Sequence, residues 1–419
     1  MRLDIAYGDG FLPLDPTRYN EFQIISPKTA AGIQDIDRYV QHRVTETDMF
    51  RELIKADPSK HNVIIVLEMP QRIIHLTSIL EPLVDTLQTT SLTPSNIQFL
   101  LCGSSHYQLD LDETVRYLGR FTSEGSEIHI HDPHNEKTLR YMGDEPIRSI
   151  PVHLNAKYIH STFRITLSSV MQSIFTGTTG GLLSIAPGLC GNRTAYHLAK
   201  QLARYESSVF ECNPEYLSIL HSTTNFATPH LYLNLVQDVK GTIAHVAAGK
   251  VDSVAKECKD VAQNLATSGI RRRSDVAVVG AGGKGYDSTL YDATESLHAA
   301  FSATRTGGTI LLVAECKDGV GPEGFLEGMT NTKTESELRV MAETNFKIGM
   351  ERARFLRKVM ESRDLVICSR LRESLVVEKI GCPAVRDPQE GLDMIVRSNG
   401  TNSRIVIIEQ APFVHPIVI

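Results

Sequence analysis

Residues 62–103 read NVIIVLEMPQRIIHLTSILEPLVDTLQTTSLTPSNIQFLLCG. Two β-branched runs, NVIIVLEM at 62–69 and NIQFLLCG at 96–103, flank SILEPLVDTL, whose apolar residues recur at helical spacing. Strand, helix, strand within so short a span is the unit of a parallel sheet, because parallel strands need a crossover and a helix is the usual one. The same alternation spreads outward. EIHIHD (127–132) and FRITLSSV (163–170) read as further strands, with the helical LDETVRYLGRF ahead of the first. After the helical GKVDSVAKECKDVAQNLA (249–266) a second series follows, DVAVVG, GTILLVAE, DLVICS and RIVIIEQ, again separated by helices, the longest expected over 335–362.

The expected fold class is therefore α/β, with two α/β domains of mostly parallel strands and a cleft between them. A chain of 419 residues exceeds the usual span of one core. The division is placed near residue 270: 1–270 carries a Gly-rich loop, 271–419 forms the second domain, and the last strand is expected to pack back on the first domain. No internal repeat or low-complexity segment interrupts this plan.

Composition narrows the function. With 42% apolar and 22% charged residues, and no unbroken apolar run near the roughly 20 residues that cross a bilayer, no membrane partner is expected. The opening MRLDIAYGDGFLP has neither a basic leader nor an apolar signal core, so the expected location is cytoplasmic. Net charge is −6, and the one tight basic run, Arg271 to Arg273, is too short to argue for nucleic acid. Seven scattered cysteines without a CxxC pair read as reduced thiols.

In open parallel sheets ligands bind beyond the carboxyl ends of the strands. Residues just past each run are polar: Glu68 and Arg72, then His106, then His131 and Asp132, and Glu315. Arg72 is a planar bidentate donor suited to a carboxylate or phosphate. His106 is placed to act as acid or base near neutral pH. HIHDPH offers His131 as a weak metal candidate, against a strand end whose Asp132 and His134 cap a helix starting near Glu136. VVGAGGKG satisfies GxGxxG at Gly280, Gly282 and Gly285, but no acidic residue closes a strand about 20 residues later, so a turn needing positive φ is the favoured reading. The stretch FTGTTGGLLSIAPGLCGNRTAYH at 175–197 has the glycines and threonines of a phosphate-holding loop, formed by Gly177, Thr178, Thr179, Gly180 and Gly181, and no lysine.

Taken in order, these segments resemble the nickel-dependent lactate racemase family over nearly the whole chain. IAYGDGFLPLDP looks like that family's first strand and turn, LCGSSHYQLDLDETVRYLG like its Gly-x-His segment, and EIHIHDPHNEKTLRYMG like its His-Asp stretch. PVHLNAKY precedes the loop, GTTGGLLSIAPG stands where the family has Gly-Phe-Ser-Gly-Gly-x-Lys and then Pro-Gly, and GGTILLVAECKDGVGPEGF resembles its second-domain core.

The resemblance implies a nickel-pincer nucleotide tethered to the loop lysine, a histidine on the nickel, and two histidines exchanging the substrate hydroxyl proton while hydride leaves and returns. It also implies Arg72 on the substrate carboxylate and His106 as one acid/base histidine. The other positions depart from the pattern. The tethering lysine corresponds to Leu183, the second acid/base histidine to Ser173 and the nickel ligand to Ala199, with His197 two positions earlier as a weak alternative ligand. The family's substrate-binding Gln and Lys correspond to Asp292 and Glu295, which suit a hydroxyl-rich or cationic group better than a second carboxylate.

The expectation is a diverged isomerase (racemase or epimerase) or lyase acting on a small hydroxylated organic acid by acid/base chemistry, independent of the tethered nickel-pincer cofactor. Its loop would remain able to hold a nucleotide or phosphate, and an oligomer is left open. Two alternatives stand beside it: a non-catalytic protein binding a small acid or nucleotide, and a nickel-dependent 2-hydroxy-acid racemase with rerouted cofactor attachment.

Overall fold

The computed structural model describes residues 2–55, 57, 60–68, 73, 75–102, 111–204 and 213–419. Two six-stranded sheets organise it. Their strands, in chain order, are β1 (Glu21–Ile25), β2 (Val63–Leu67), β3 (Ile97–Leu101), β4 (Glu127–Ile130), β5 (Phe163–Ser169), β6 (Leu231–Gln237), β7 (Ile243–Gly249), β8 (Ser274–Gly280), β9 (Thr304–Val313), β10 (Asp364–Cys368), β11 (Ala384–Val385) and β12 (Arg404–Ile408).

The first sheet has the order β7-β6-β5-β2-β3-β4, parallel except for the antiparallel β6–β7 pair. Every residue of β2 is buried, as its continuous apolar run requires: Val63, Ile65 and Leu67 face one core with the helix Thr77–Gln88, and Ile64 and Val66 face another. The second sheet, β11-β10-β9-β8-β12-β1, is parallel throughout and covered on both faces.

The expected assignment of residues 1–270 to one domain differs from the strand pairing at one point. β1, from the start of the chain, pairs with β12 from Glu21↔Arg404 to Ile25↔Ile408, so the first body is an insertion into the second. The run EFQII, with Glu21 and Gln23 among its apolar residues, is too polar to announce a strand, and its partner defines it. The last strand, His415–Val418, pairs with Thr267–Ile270 in a separate two-stranded ribbon. The expected long helix over 335–362 is two helices, Glu335–Thr344 and Met350–Ser362. Gly349 breaks it: φ is +108°, and a Cβ there would lie 2.6 Å from the Phe325 amide nitrogen.

The glycine fingerprint after β8 serves packing. A Cβ on Gly280 would meet the Glu409 carbonyl oxygen at 2.2 Å and Ile5 Cγ2 at 2.8 Å, while Gly282 and Gly285 take φ of +102° and +87°. The crevice beyond β8 is filled by the hairpin of Leu3–Tyr7 and Gly10–Leu14. Lys284 donates its amide to the Gly8 carbonyl (2.9 Å), and Gly8 donates its own to Asp287 Oδ2 (2.9 Å). No helix among the described residues is long and apolar enough to cross a membrane.

Candidate active site in the interdomain cleft

A cavity of about 330 Å³ lies between the two bodies, at the carboxyl ends of the first-sheet strands. Glu68, just past β2, and Cys102, just past β3, form its floor. Glu68 is positioned by the Ser169 amide, which donates to its Oε2 at 2.9 Å. Burial pushes the Cys102 thiol up, and its Sγ–H donates to the Ser184 carbonyl at 3.2 Å.

One wall is the Gly-rich loop and the helix after it. Gln172–Ser173 and Gly177–Thr178 form a small antiparallel ribbon. Gly180 and Gly181 adopt φ of +84° and +55°, and a Cβ on Gly180 would press on Val170 and the Ser169 carbonyl. Thr179 closes the loop on itself: its hydroxyl donates to Ser169 O and accepts from the Met171 amide, both at 2.9 Å, and its amide donates to Met171 O. The element after the loop is a four-residue 3-10 turn, Gly181–Ser184, and the next α-helix begins at Asn192. The loop predicted to hold phosphate is thus a self-bonded hairpin whose Thr179 hydroxyl and amide are already engaged. Leu183 extends from the short turn into the cavity wall, and Ala199 joins it from the helix Asn192–Arg204.

The opposite wall comes from the second body: Tyr291 and Asp292 in the turn Leu290–Ala293, Glu295 just after it, and Glu351 and Arg352 in the first turn of Met350–Ser362. Arg352 joins the two bodies. Its Nη2 lies 2.8 Å from Glu295 Oε2, and its guanidinium lies 4.8 Å from the Tyr291 ring centroid and 5.7 Å from that of Phe175 in the loop. Glu295 Oε1 in turn accepts the Ile174 amide of the first body at 2.9 Å. Burial alone would lower the Arg352 pKa, but the surrounding Glu295, Tyr291, Asp292 and Glu351 hold it above its ordinary value. Glu351 is buried and its carboxyl is raised by that burial, although it accepts from Tyr291 Oη and the Gly349 amide, both at 2.8 Å. Asp292 Oδ2 accepts the Thr289 hydroxyl (2.7 Å), whose oxygen caps the Asp292 amide.

Asp292, Glu295, Leu183, Ala199 and Ser173 thus share one cavity. Arg72 and His106 lie outside the described residues. His197 belongs to a different face of its helix from Ala195 and Ala199, packs edge-on to Tyr196, and has its pKa lowered chiefly by burial. His131, the weak metal candidate of the sequence, is a buried core histidine. Its Nε2 donates to the Cys190 carbonyl (3.0 Å), and its Nδ1 accepts from the Asn155 amide (3.1 Å), so neither ring nitrogen has a lone pair to spare. Asn135, and not Asp132 or His134, caps the 3-10 turn that starts at Glu136. Among the described residues no group of three or more His, Cys, Asp or Glu side chains is arranged to hold a metal.

Sequence reading missed Tyr291, Glu351 and Arg352. The signal available was Gly349, a helix breaker two residues before a Glu-Arg pair. Among the described lining residues of the cavity there is no lysine or histidine.

Fold and cavity together define a two-domain α/β protein that encloses a small-molecule-sized space where its halves meet. Residues 7–208 match the lactate racemase N-terminal domain and residues 270–414 the lactate racemase C-terminal domain. The chain belongs to the lactate racemase family. It is 24% identical to the lactate racemase of Thermoanaerobacterium thermosaccharolyticum over 80% of this chain and 79% of that protein. It is also 24% identical to the lactate racemase of Lactiplantibacillus plantarum, over 70% of this chain and 68% of that one. The fold matches the lactate racemase apoprotein of T. thermosaccharolyticum with a TM-score of 0.84 at 18% identity, all of both chains covered. A Thermotoga maritima protein matches with a TM-score of 0.69 at 12% identity, over 92% of this chain and 97% of that one.

Proposed function

We propose that this chain is a diverged isomerase or lyase of the family, acting on a small hydroxylated organic acid in the cleft by acid/base chemistry and without a lysine-tethered nickel-pincer nucleotide. The observation that carries this reading is the cavity wall at the loop and its helix, where Leu183 and Ala199 stand and no described lining residue is a lysine or histidine. Arg72 takes the substrate carboxylate, and His106 moves a proton at the reacting carbon. In an acid/base route the Cα–H bond breaks, the electron pair moves into the carboxyl group, and the proton passes to a base that exchanges with water.

That exchange is the test. Proton NMR of 2-hydroxy acids in D2O with the full chain should show deuterium entering at Cα, whereas hydride chemistry returns the same hydrogen. Isomerisation without deuterium, together with an added cofactor mass on protein co-produced with the cofactor-making enzymes, would refute the proposal and restore the nickel-dependent route. Ser173 supports a second reading, since a serine in that place supplies no base near neutral pH. A protein that binds the acid but exchanges nothing would be a non-catalytic binder.

A further inference from the structure

The helix Asn192–Arg204 turns Ala195, Leu198, Ala199 and Leu202 toward the cavity. These positions follow i, i+3, i+4, i+7, which is one continuous helical face, and all four are apolar. Leu183 and Phe175 extend the same surface from the loop. Leu183 and Leu202 pack against the core under the first sheet, and Ala199 against the core shared with the second body, yet all three remain only partly buried. Their accessible remainder and the cavity coincide. The charged groups of the opposite wall, Glu295 and Asp292, are engaged by Arg352, the Ile174 amide and Thr289, and the loop's polar lining residues, among them Gln172, Ser173 and Thr176, lie outside this helical face.

A volume of about 330 Å³ falls within the range of small-molecule pockets and is far more than a three-carbon acid fills. We infer that the substrates are 2-hydroxy acids carrying an apolar side chain, branched aliphatic or aromatic, which seats on the Leu183–Leu198–Ala199–Leu202 surface. This rests on the cleft being the hydroxy-acid site proposed above, and it adds what that reading lacks, the feature that selects among hydroxy acids. The carboxylate and hydroxyl then face the strand ends, and the side chain covers apolar surface that would otherwise meet water. Charged or polyhydroxylated side chains find no free partner on this surface and lose solvation there.

Calorimetric titration of the full chain with lactate, 2-hydroxybutyrate, 2-hydroxy-4-methylpentanoate, 3-phenyllactate and malate tests the inference. Each added buried carbon should tighten Kd about fourfold, corresponding to about 0.8 kcal/mol, so 2-hydroxy-4-methylpentanoate should bind about sixtyfold more tightly than lactate. Malate should gain nothing over lactate. In Ala199→Phe, which fills the surface, the ratio of the lactate and phenyllactate Kd values should shrink toward one. Ala195→Leu, a milder filling, should shrink it part of the way, and the wild-type series stands without either variant. A flat series, tightest binding of malate, or no binding of any member would overturn the inference. Deuterium exchange into lactate alongside a flat series would do so while leaving the proposed chemistry intact. A rising series without exchange would uphold the apolar selectivity and remove the catalytic reading.

Discussion

Replacing Arg352 by Met should loosen the join between the two bodies. The guanidinium bonds Glu295 at 2.8 Å and lies between the Tyr291 and Phe175 rings, while Glu295 also holds the Ile174 amide across the cleft. The two side chains are 17% and 20% exposed, so the pair is mostly but not wholly out of water. Removing one partner of a fully buried pair costs about 3–5 kcal/mol, and this residual exposure lowers the expected figure to about 2–3 kcal/mol. Loss of the ring contacts adds about 0.5–1 kcal/mol. Urea denaturation should therefore give a loss of about 3 kcal/mol for Arg352→Met. Glu295→Gln, which keeps an acceptor for Ile174, should lose about 1–2 kcal/mol. Because both changes break one interaction, the double variant should fall short of their sum by at least about 1 kcal/mol. Strict additivity, or an Arg352→Met midpoint indistinguishable from wild type, would refute the clamp.

Gly280→Ala should destabilise the chain by about 3 kcal/mol, since its Cβ would lie 2.2 Å from a backbone carbonyl that cannot swing aside. NADH should show no saturable binding by fluorescence titration. An unchanged melting temperature for Gly280→Ala, or micromolar NADH binding lost in Gly282→Val, would return the glycines to nucleotide duty. Acidification should destabilise the first body through His131, whose pKa is lowered chiefly by burial and whose Nδ1 would become a donor facing the Asn155 amide donor if protonated. The unfolded state then binds the extra proton first, so the His131 contribution is complete above about pH 6.5 and is lost as pH falls below it toward the depressed folded value. Melting temperature should drop between pH 7.5 and 5.5, and the slope should shrink in His131→Gln; an identical slope in that variant would show the histidine to be uninvolved.

Local pattern decided which parts of this molecule could be read in advance. β2 is a nearly continuous β-branched run because both its faces are covered, β3 is apolar but for Gln98, and β8, β9, β10 and β12 announce themselves by similar apolar runs. β6, LYLNLVQ, is buried throughout, but its Asn234 and Gln237 interrupt the apolar signal, and β1 depends on a partner from the other end of the chain. In the site, Glu68 and the Gly-rich loop were visible because strand ends and glycine turns mark such places, while Asp292 and Glu295 were visible only through the family resemblance. Arg352 and Glu351 were not. On a helix they look like charges meant for water, and only the packing of one body on the other turns them into cleft residues. His131 shows the converse: its motif looked like metal chemistry, and two hydrogen bonds made it part of a core.

The pairing of β1 with β12 also sets an order of events during synthesis. Residues 63–249, which supply every strand of the first sheet, are made long before Arg404 exists to receive Glu21. The first body can therefore close while the ribosome is still translating the second, whose sheet stays open at β1 until residues 404–408 emerge. Contacts so distant in sequence form slowly, and an unpaired strand edge is a template for wrong partners in the meantime. A nascent chain stalled before residue 404 should thus carry a finished half and an exposed β1, the species on which a chaperone would act.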